Sequence, residues 1–148
     1  MTIFQIVTTM SNMFLDANLF DQPLNAWNVS SVNFMQGMFI GADVFNQPLN
    51  NWDTSSVTKI SAMFQQALAF NQDISSWDMS SVNDMSYMFY DAQSFNQNIS
   101  TWNVSSVADM IGMFDFTALS TTNYDAILNG WSALTVQAGV DFGAATIT

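Results

Sequence analysis

Hydrophobic and polar positions recur along this chain every 25 residues. Trp27, Trp52, Trp77 and Trp102 stand 25 apart. Phe20, Phe45, Phe70 and Phe95 keep the same step, as do Val32, Val57, Val82 and Val107. So do the Met-Phe pairs, from Met13-Phe14 through Met38-Phe39, Met63-Phe64 and Met88-Phe89 to Met113-Phe114, and no insertion or deletion breaks the period between Met13 and Phe114. A fixed period of roughly 20 to 50 residues marks an array of stacked units, none of which can bury its apolar face alone.

One unit, Phe70 to Gln93, gives the local reading. Ile74, Trp77 and Met79 follow the spacing L-x-x-L-x-L, and the same frame gives Leu24, Trp27 and Val29, then Leu49, Trp52 and Thr54, then Ile99, Trp102 and Val104. That spacing is the strand signature of a leucine-rich repeat, and it predicts a short strand in each coil. Val82, Met85, Met88 and Phe89 then fall at i, i+3, i+6 and i+7, which predicts about two turns of helix, capped by Ser80 or Ser81 and ending near Asp91-Ala92. Polar and glycine residues around 40–43 and 90–94 mark the turn into the next unit. Asn46, Asn71 and Asn96 are placed to form a ladder bonding backbone groups between coils.

The pattern stops after Phe114. Tyr124, Ile127, Leu128 and Trp131 then share one helical face, with Thr121 or Thr122 as the expected N-cap and Gly130 weakening the last turn. Val136, Val140 and Phe142 read as strand-like. The expected fold is an α/β solenoid: a right-handed, leucine-rich-repeat-like coil with a parallel sheet on the concave face and short helical or 3-10 segments on the other. It divides into a partial N-terminal coil (1–19), four 25-residue repeats (20–116) and a C-terminal cap (117–148). The N-terminal coil has no preceding repeat to cover Phe4, Ile6, Met10, Met13 and Phe14, so a homo-oligomer through this uncapped end is expected.

Composition narrows the chemistry. Hydrophobic residues are 49 % of the chain and charged residues only 9 %, so the surface is built from Ser, Thr, Asn and Gln. All twelve acidic residues are Asp, Lys59 is the one basic residue, and the net charge is −11. Such a chain is repelled by nucleic-acid phosphates and anionic lipids, so no nucleic-acid partner is expected. There is no His and no Cys, which excludes Ser-His and Cys-His nucleophile pairs, disulfides and Cys/His zinc sites. No stretch approaches the roughly 18 apolar residues of a membrane span, so no membrane insertion is expected. The N-terminus also lacks the basic and apolar regions of a signal peptide.

The residue after each Trp forms the candidate binding column: Asn28, Asp53, Asp78 and Asn103. On a parallel sheet these side chains project outward about 4.8 Å apart. Side-by-side carboxylates at Asp53 and Asp78 repel by on the order of 1 kcal/mol in water. The column is either a solvated acidic ladder or a ligand site, with Asp53 and Asp78 as possible metal ligands. Ca²⁺ is the one cofactor this oxygen chemistry suits, although no EF-hand loop or RTX nonapeptide is present. Paired Asp residues also occur in glycosidases, but here the pair repeats with the fold, there is no Glu, and no enzymatic activity is expected. The Trp and Met-Phe columns are read as core packing, not as a sugar platform or a methionine-rich surface. Positions 25–26, 50–51, 75–76 and 100–101 are too irregular for an ice-binding threonine array.

The stretch FNQDISSWDMSSVNDMSYMF resembles the BspA-like leucine-rich repeat group, in the branch reading F-N-x-x-[IL]-x-x-W-[DN]-x-S-x-V-x-x-M-x-x-M-F. The resemblance covers about residues 7–116, and the segment NYDAILNGW…GVDFGA is similar to one that often follows these repeats. It implies a microbial surface protein, often a lipoprotein or anchored adhesin, with no catalytic residues to carry over. The expectation is therefore a cell-surface or secreted, non-catalytic module that binds an extended protein or glycan through a repeated polar face. The alternative is a structural spacer or self-associating solenoid, possibly Ca²⁺-stabilised.

Overall fold

The computed structural model describes residues 6–135, 137–141 and 143. The repeats stack in register, but they are built from turns. Among the described residues there is no β-sheet, and the one helix is α1, Thr121–Ser132. Strand-like pairing is confined to isolated parallel bridges linking Thr9, Phe34, Lys59, Asp84 and Asp109 in sequence. This corrects the expected parallel-sheet α/β solenoid, both in its concave sheet and in its short helices.

The reason lies in the backbone of the segment predicted to be helical. In the third full repeat, Tyr87 and Asp91 have φ of 56° and 55°, a left-handed conformation that no α-helix contains. Met88 N–H donates to the Met85 carbonyl (3.2 Å), Tyr90 N–H to Tyr87 (3.1 Å) and Ala92 N–H to Phe89 (3.0 Å). These are successive four-residue turns. Those with Tyr87 and Asp91 in third place fit type II, which requires positive φ there. The intervening N–H groups of Met85, Tyr87, Phe89 and Asp91 point sideways and donate to Asp109, Ile111, Met113 and Asp115 of the next coil at 2.8–3.1 Å. Every other N–H thus closes a local turn, and the rest tie coil to coil. The same positive-φ positions recur at Asn12 and Asp16, Gly37 and Gly41, Ala62 and Gln66, and Gly112 and Phe116.

The predicted strand is likewise two β-turns. Trp77 N–H donates to the Ile74 carbonyl (3.1 Å) and Val82 N–H to Met79 (3.0 Å), with serine pairs at both corners. Asp73 and Asp78 fix these corners by accepting the N–H groups of Ser75 and Ser80, each at 2.9 Å. This two-residue reach suits the short side chains of Asp and Asn, and Asp53, Asp84 and Asp109 make the same bond.

The columns that turn inward form one continuous core. Phe14, Phe39, Phe64, Phe89 and Phe114 stack at 5.3–6.1 Å, and Phe20, Phe45, Phe70 and Phe95 at 5.9–6.5 Å. Trp52, Trp77 and Trp102 stack at 6.1 and 6.5 Å and are buried. Each of these indoles donates across to a carbonyl in the preceding coil, of Leu24, Leu49 and Ile74 respectively, at 3.0–3.1 Å. Thr54 occupies the buried place held elsewhere by Val29, Met79 and Val104, and its hydroxyl donates to the Asp78 carbonyl.

The asparagine ladder forms as the sequence suggests. Asn46, Asn71 and Asn96 N–H groups donate to the side-chain oxygens of Asp21, Asn46 and Asn71 at 2.9–3.0 Å. Gln72 and Gln97 add side-chain amide bonds to Asn46 and Asn71.

The C-terminal helix continues these columns by imitation. Ser120 N–H donates to Asn96 Oδ1 (2.9 Å), and Asn123 Nδ2 takes the place of the glutamine amide. Trp131 meets Phe114 at 6.4 Å and 26°, as Trp102 meets Phe89 at 6.5 Å and 28°. The N-cap is Ser120, whose hydroxyl accepts from Asn123 N–H, one residue before the expected Thr121 or Thr122. Gly130 fits because its α-carbon lies against the Ser100 carbonyl, where a β-carbon would collide. Of the residues read as strand-like in the tail, Val140 packs on the core, whereas Val136 and Phe142 lie outside the described residues, as does Phe4 at the other end.

Candidate functional site

Asn28, Asp53, Asp78 and Asn103 occupy the same turn corner on four consecutive coils, and all four are exposed. There is no sheet for them to project from. Each side chain is instead aimed by a bond to the residue two further on. Asn28 Oδ1 accepts from Ser30 N–H (3.1 Å) and hydroxyl (2.7 Å), Asp53 from Ser55 (3.1 and 2.6 Å), and Asn103 from Ser105 (3.2 and 2.7 Å). Asp78 accepts from Ser80 N–H at 2.9 Å.

These bonds favour the ionised carboxylates. The Ser55 hydroxyl, and then its N–H, hold the Asp53 pKa below its ordinary value. The Ser80 hydroxyl and N–H do the same at Asp78, against smaller opposing effects of desolvation and then of the Asp53 charge. The N–H and hydroxyl of Ser75 likewise lower Asp73.

The row thus presents, in sequence, amide, carboxylate, carboxylate and amide. One oxygen of each is engaged in a local turn. Among the described residues no three His, Cys, Asp or Glu side chains converge as a metal site would require. Asp53 and Asp78 offer at most a two-carboxylate contact to a cation, short of the six to eight oxygens Ca²⁺ takes.

The serine partners escaped the sequence reading, although the D-x-S and N-x-S spacing in SSWDMSS and AWNVSS carries them. Also unforeseen is a shallow groove of about 300 Å³ along the stacked four-residue turns (the turn ribbon, residues 9–17 and their equivalents in each coil), lined by Asp16, Asp43, Gln66, Asp91 and Gln93 among others. A second cavity, of about 200 Å³, lies between the last coil and the cap against Val107, Met110, Leu128 and Trp131. The buried Trp52, Trp77 and Trp102 provide no sugar platform.

Residues 8–131 match the family described as "Mycoplasma protein of unknown function, DUF285". The chain belongs to the DUF285 family. The match takes in the coils and nearly all of α1, so the repeat resemblance extends to the family level. No curated protein and no solved structure matches the chain. No helix among the described residues is long and apolar enough to cross a membrane.

Proposed function

We propose that this DUF285 chain is a non-catalytic interaction module that binds an extended protein or glycan through the row Asn28, Asp53, Asp78 and Asn103. The observation that carries the reading is the uniform presentation of the row. Four exposed side chains on successive coils are held by the same two-residue bond. Repeated shallow contacts favour an extended ligand, because each added contact becomes intramolecular. The ionised pair favours a ligand with cationic or hydrogen-bond-donating groups. A position at the cell surface or outside the cell, and the tryptophan-bearing branch of BspA-like repeats, rest on the resemblance of the repeat sequence.

The test is a glycan and protein array probed with the parent chain and with the double variant Asp53→Asn, Asp78→Asn, with and without Ca²⁺. A ligand bound by the parent and lost by the folded double variant supports the row. A ligand held equally by both places binding elsewhere. If Ca²⁺ bridges the pair, it raises the melting temperature of the parent and not of the variant.

The alternative, a spacer that extends or joins repeat arrays, is favoured by one observation. Among the described residues nothing covers the core face of the first coil, and Trp27 is 39 % exposed where Trp52 and Trp77 are buried.

A further inference from the structure

The core face of the first coil has a donor–acceptor polarity, and the polarity selects its partner. Beyond the bridge residues, where Asn33 and Phe34 N–H donate back to Thr8, the alternate N–H groups of each turn segment donate to carbonyls of the next coil. Met10, Asn12, Phe14 and Asp16 donate to Phe34, Gln36, Met38 and Ile40 at 2.7–2.9 Å. The first coil therefore turns the corresponding carbonyls, those of Thr9, Ser11, Met13 and Leu15, back toward that face. Among the described residues none of them accepts a hydrogen bond. Elsewhere on the face the sense reverses. Asn46 N–H donates back to Asp21, and the Trp52 indole donates back to Leu24. The first-coil equivalents, Asp21 N–H and Trp27 Nε1, are donors with no acceptor among the described residues. The half-buried rings of Phe14 and Phe20 and the exposed Met13 complete an apolar centre.

A second copy of this chain does not satisfy the face. Two such faces carry the same groups, and neither supplies the row of alternate N–H groups that these four carbonyls meet between coils. Head-to-tail stacking needs the N–H row of the last coil, and that end is covered. Phe114 N–H donates to the Gly143 carbonyl at 3.0 Å, and Gly143 lies so close that a β-carbon on it would stand 2.6 Å from the Gly112 α-carbon. We propose that the N-terminal face is a docking surface for one further coil of the same 25-residue repeat. Such a coil offers four N–H groups at two-residue spacing, two phenylalanine rings to stack on Phe14 and Phe20, and a carbonyl for the Trp27 indole. This proposal does not depend on the ligand-binding row.

The experiment inserts a second copy of residues 33–57 between Val7 and Thr8, which keeps the repeat phase, and compares the variant with the parent. The parent is expected to sediment as a monomer. The insertion is expected to raise the melting temperature by several degrees, since repeat stability is a sum of neighbour interfaces, and to slow solvent exchange of the Trp27 indole proton. An insertion copied from residues 58–82 guards against a poorly folding first variant. The proposal fails if both insertions melt at or below the parent, or leave Trp27 exchange unchanged. It also fails if the parent sediments as a dimer that protects Trp27, which would assign the face to a second copy.

Discussion

The indole of Trp77 donates its Nε1–H to the Leu49 carbonyl of the neighbouring coil at 3.0 Å, inside the core. The ring fills the stack, and the N–H satisfies a backbone group that water cannot reach. Trp77→Ala is expected to cost about 3–5 kcal/mol, as large aromatic truncations do. Trp77→Phe retains much of the packing but strands the carbonyl, a loss of about 1–3 kcal/mol. Chemical denaturation of both variants checks the order. A Trp77→Ala protein as stable as the parent would remove the column from the core.

The asparagine ladder makes a sharper distinction. Asn71 Oδ1 accepts both the Asn96 N–H and the Gln97 amide. Asn71→Ala leaves a part-buried N–H without its acceptor and is expected to cost about 1–3 kcal/mol. Asn71→Asp keeps the accepting oxygen, as Asp21 does for Asn46 in the first coil. Its melting temperature is expected to stay much closer to the parent's than that of Asn71→Ala, and equal losses in the two variants would argue against the ladder.

Gly130→Ala sets two effects in opposition. In an exposed helix the change gains about 1 kcal/mol of propensity. Here the added carbon meets the backbone of Ser100, which cannot rotate away, and overpacking costs typically about 1–3 kcal/mol. Net destabilisation is expected in thermal melts. A stabilised variant would mean that the cap does not sit on the fourth coil as described.

Much of this was legible in the sequence. The period and the Asn46–Asn71–Asn96 ladder are present as read, and the Trp and Met-Phe columns turn inward from the second repeat onward, with Trp27 and Met13 exposed in the first coil. Local structure was not, because a three-residue spacing such as Val82, Met85, Met88 serves a chain of β-turns as well as a helix. The discriminating sign is left-handed backbone. It is visible at Gly37, Gly41 and Gly112 but concealed where Ala62, Gln66 and Tyr87 adopt it. The L-x-x-L-x-L frame misled in the same way, since the serine pairs and their Asp partners bend the segment at two corners. At the candidate row the residues and their exposure could be read, but not the serine bonds that orient them.

Acid is expected to weaken the fold from a defined point. Asp53, Asp73 and Asp78 have folded-state pKa values below the ordinary 3.8. Their contribution is therefore complete above that value and is lost as pH falls through the lower folded values. The melting temperature should change little on this account until about pH 4 and then decline. Ser55→Ala removes the bonds from the serine hydroxyl to Asp53, so it should lower the melting temperature at neutral pH, with the difference from the parent shrinking toward pH 2. A difference that stays constant across the range would show that Ser55 acts through something other than the carboxylate.

The central structural claim, a stack of coils joined by a turn ribbon and not by a sheet, is tested most directly by residue-resolved amide hydrogen exchange. Ala62 and Phe64 donate across to Ser86 and Met88, whereas the N–H groups of Ser76 and Asp78, in the stretch that reads as strand, donate to no backbone carbonyl among the described residues. The expected result is strong protection at Ala62 and Phe64 with rapid exchange at Ser76 and Asp78. Alternating strong protection through residues 74–79, repeated at 49–54 and 99–104, would restore the parallel sheet and contradict the turn-built coil.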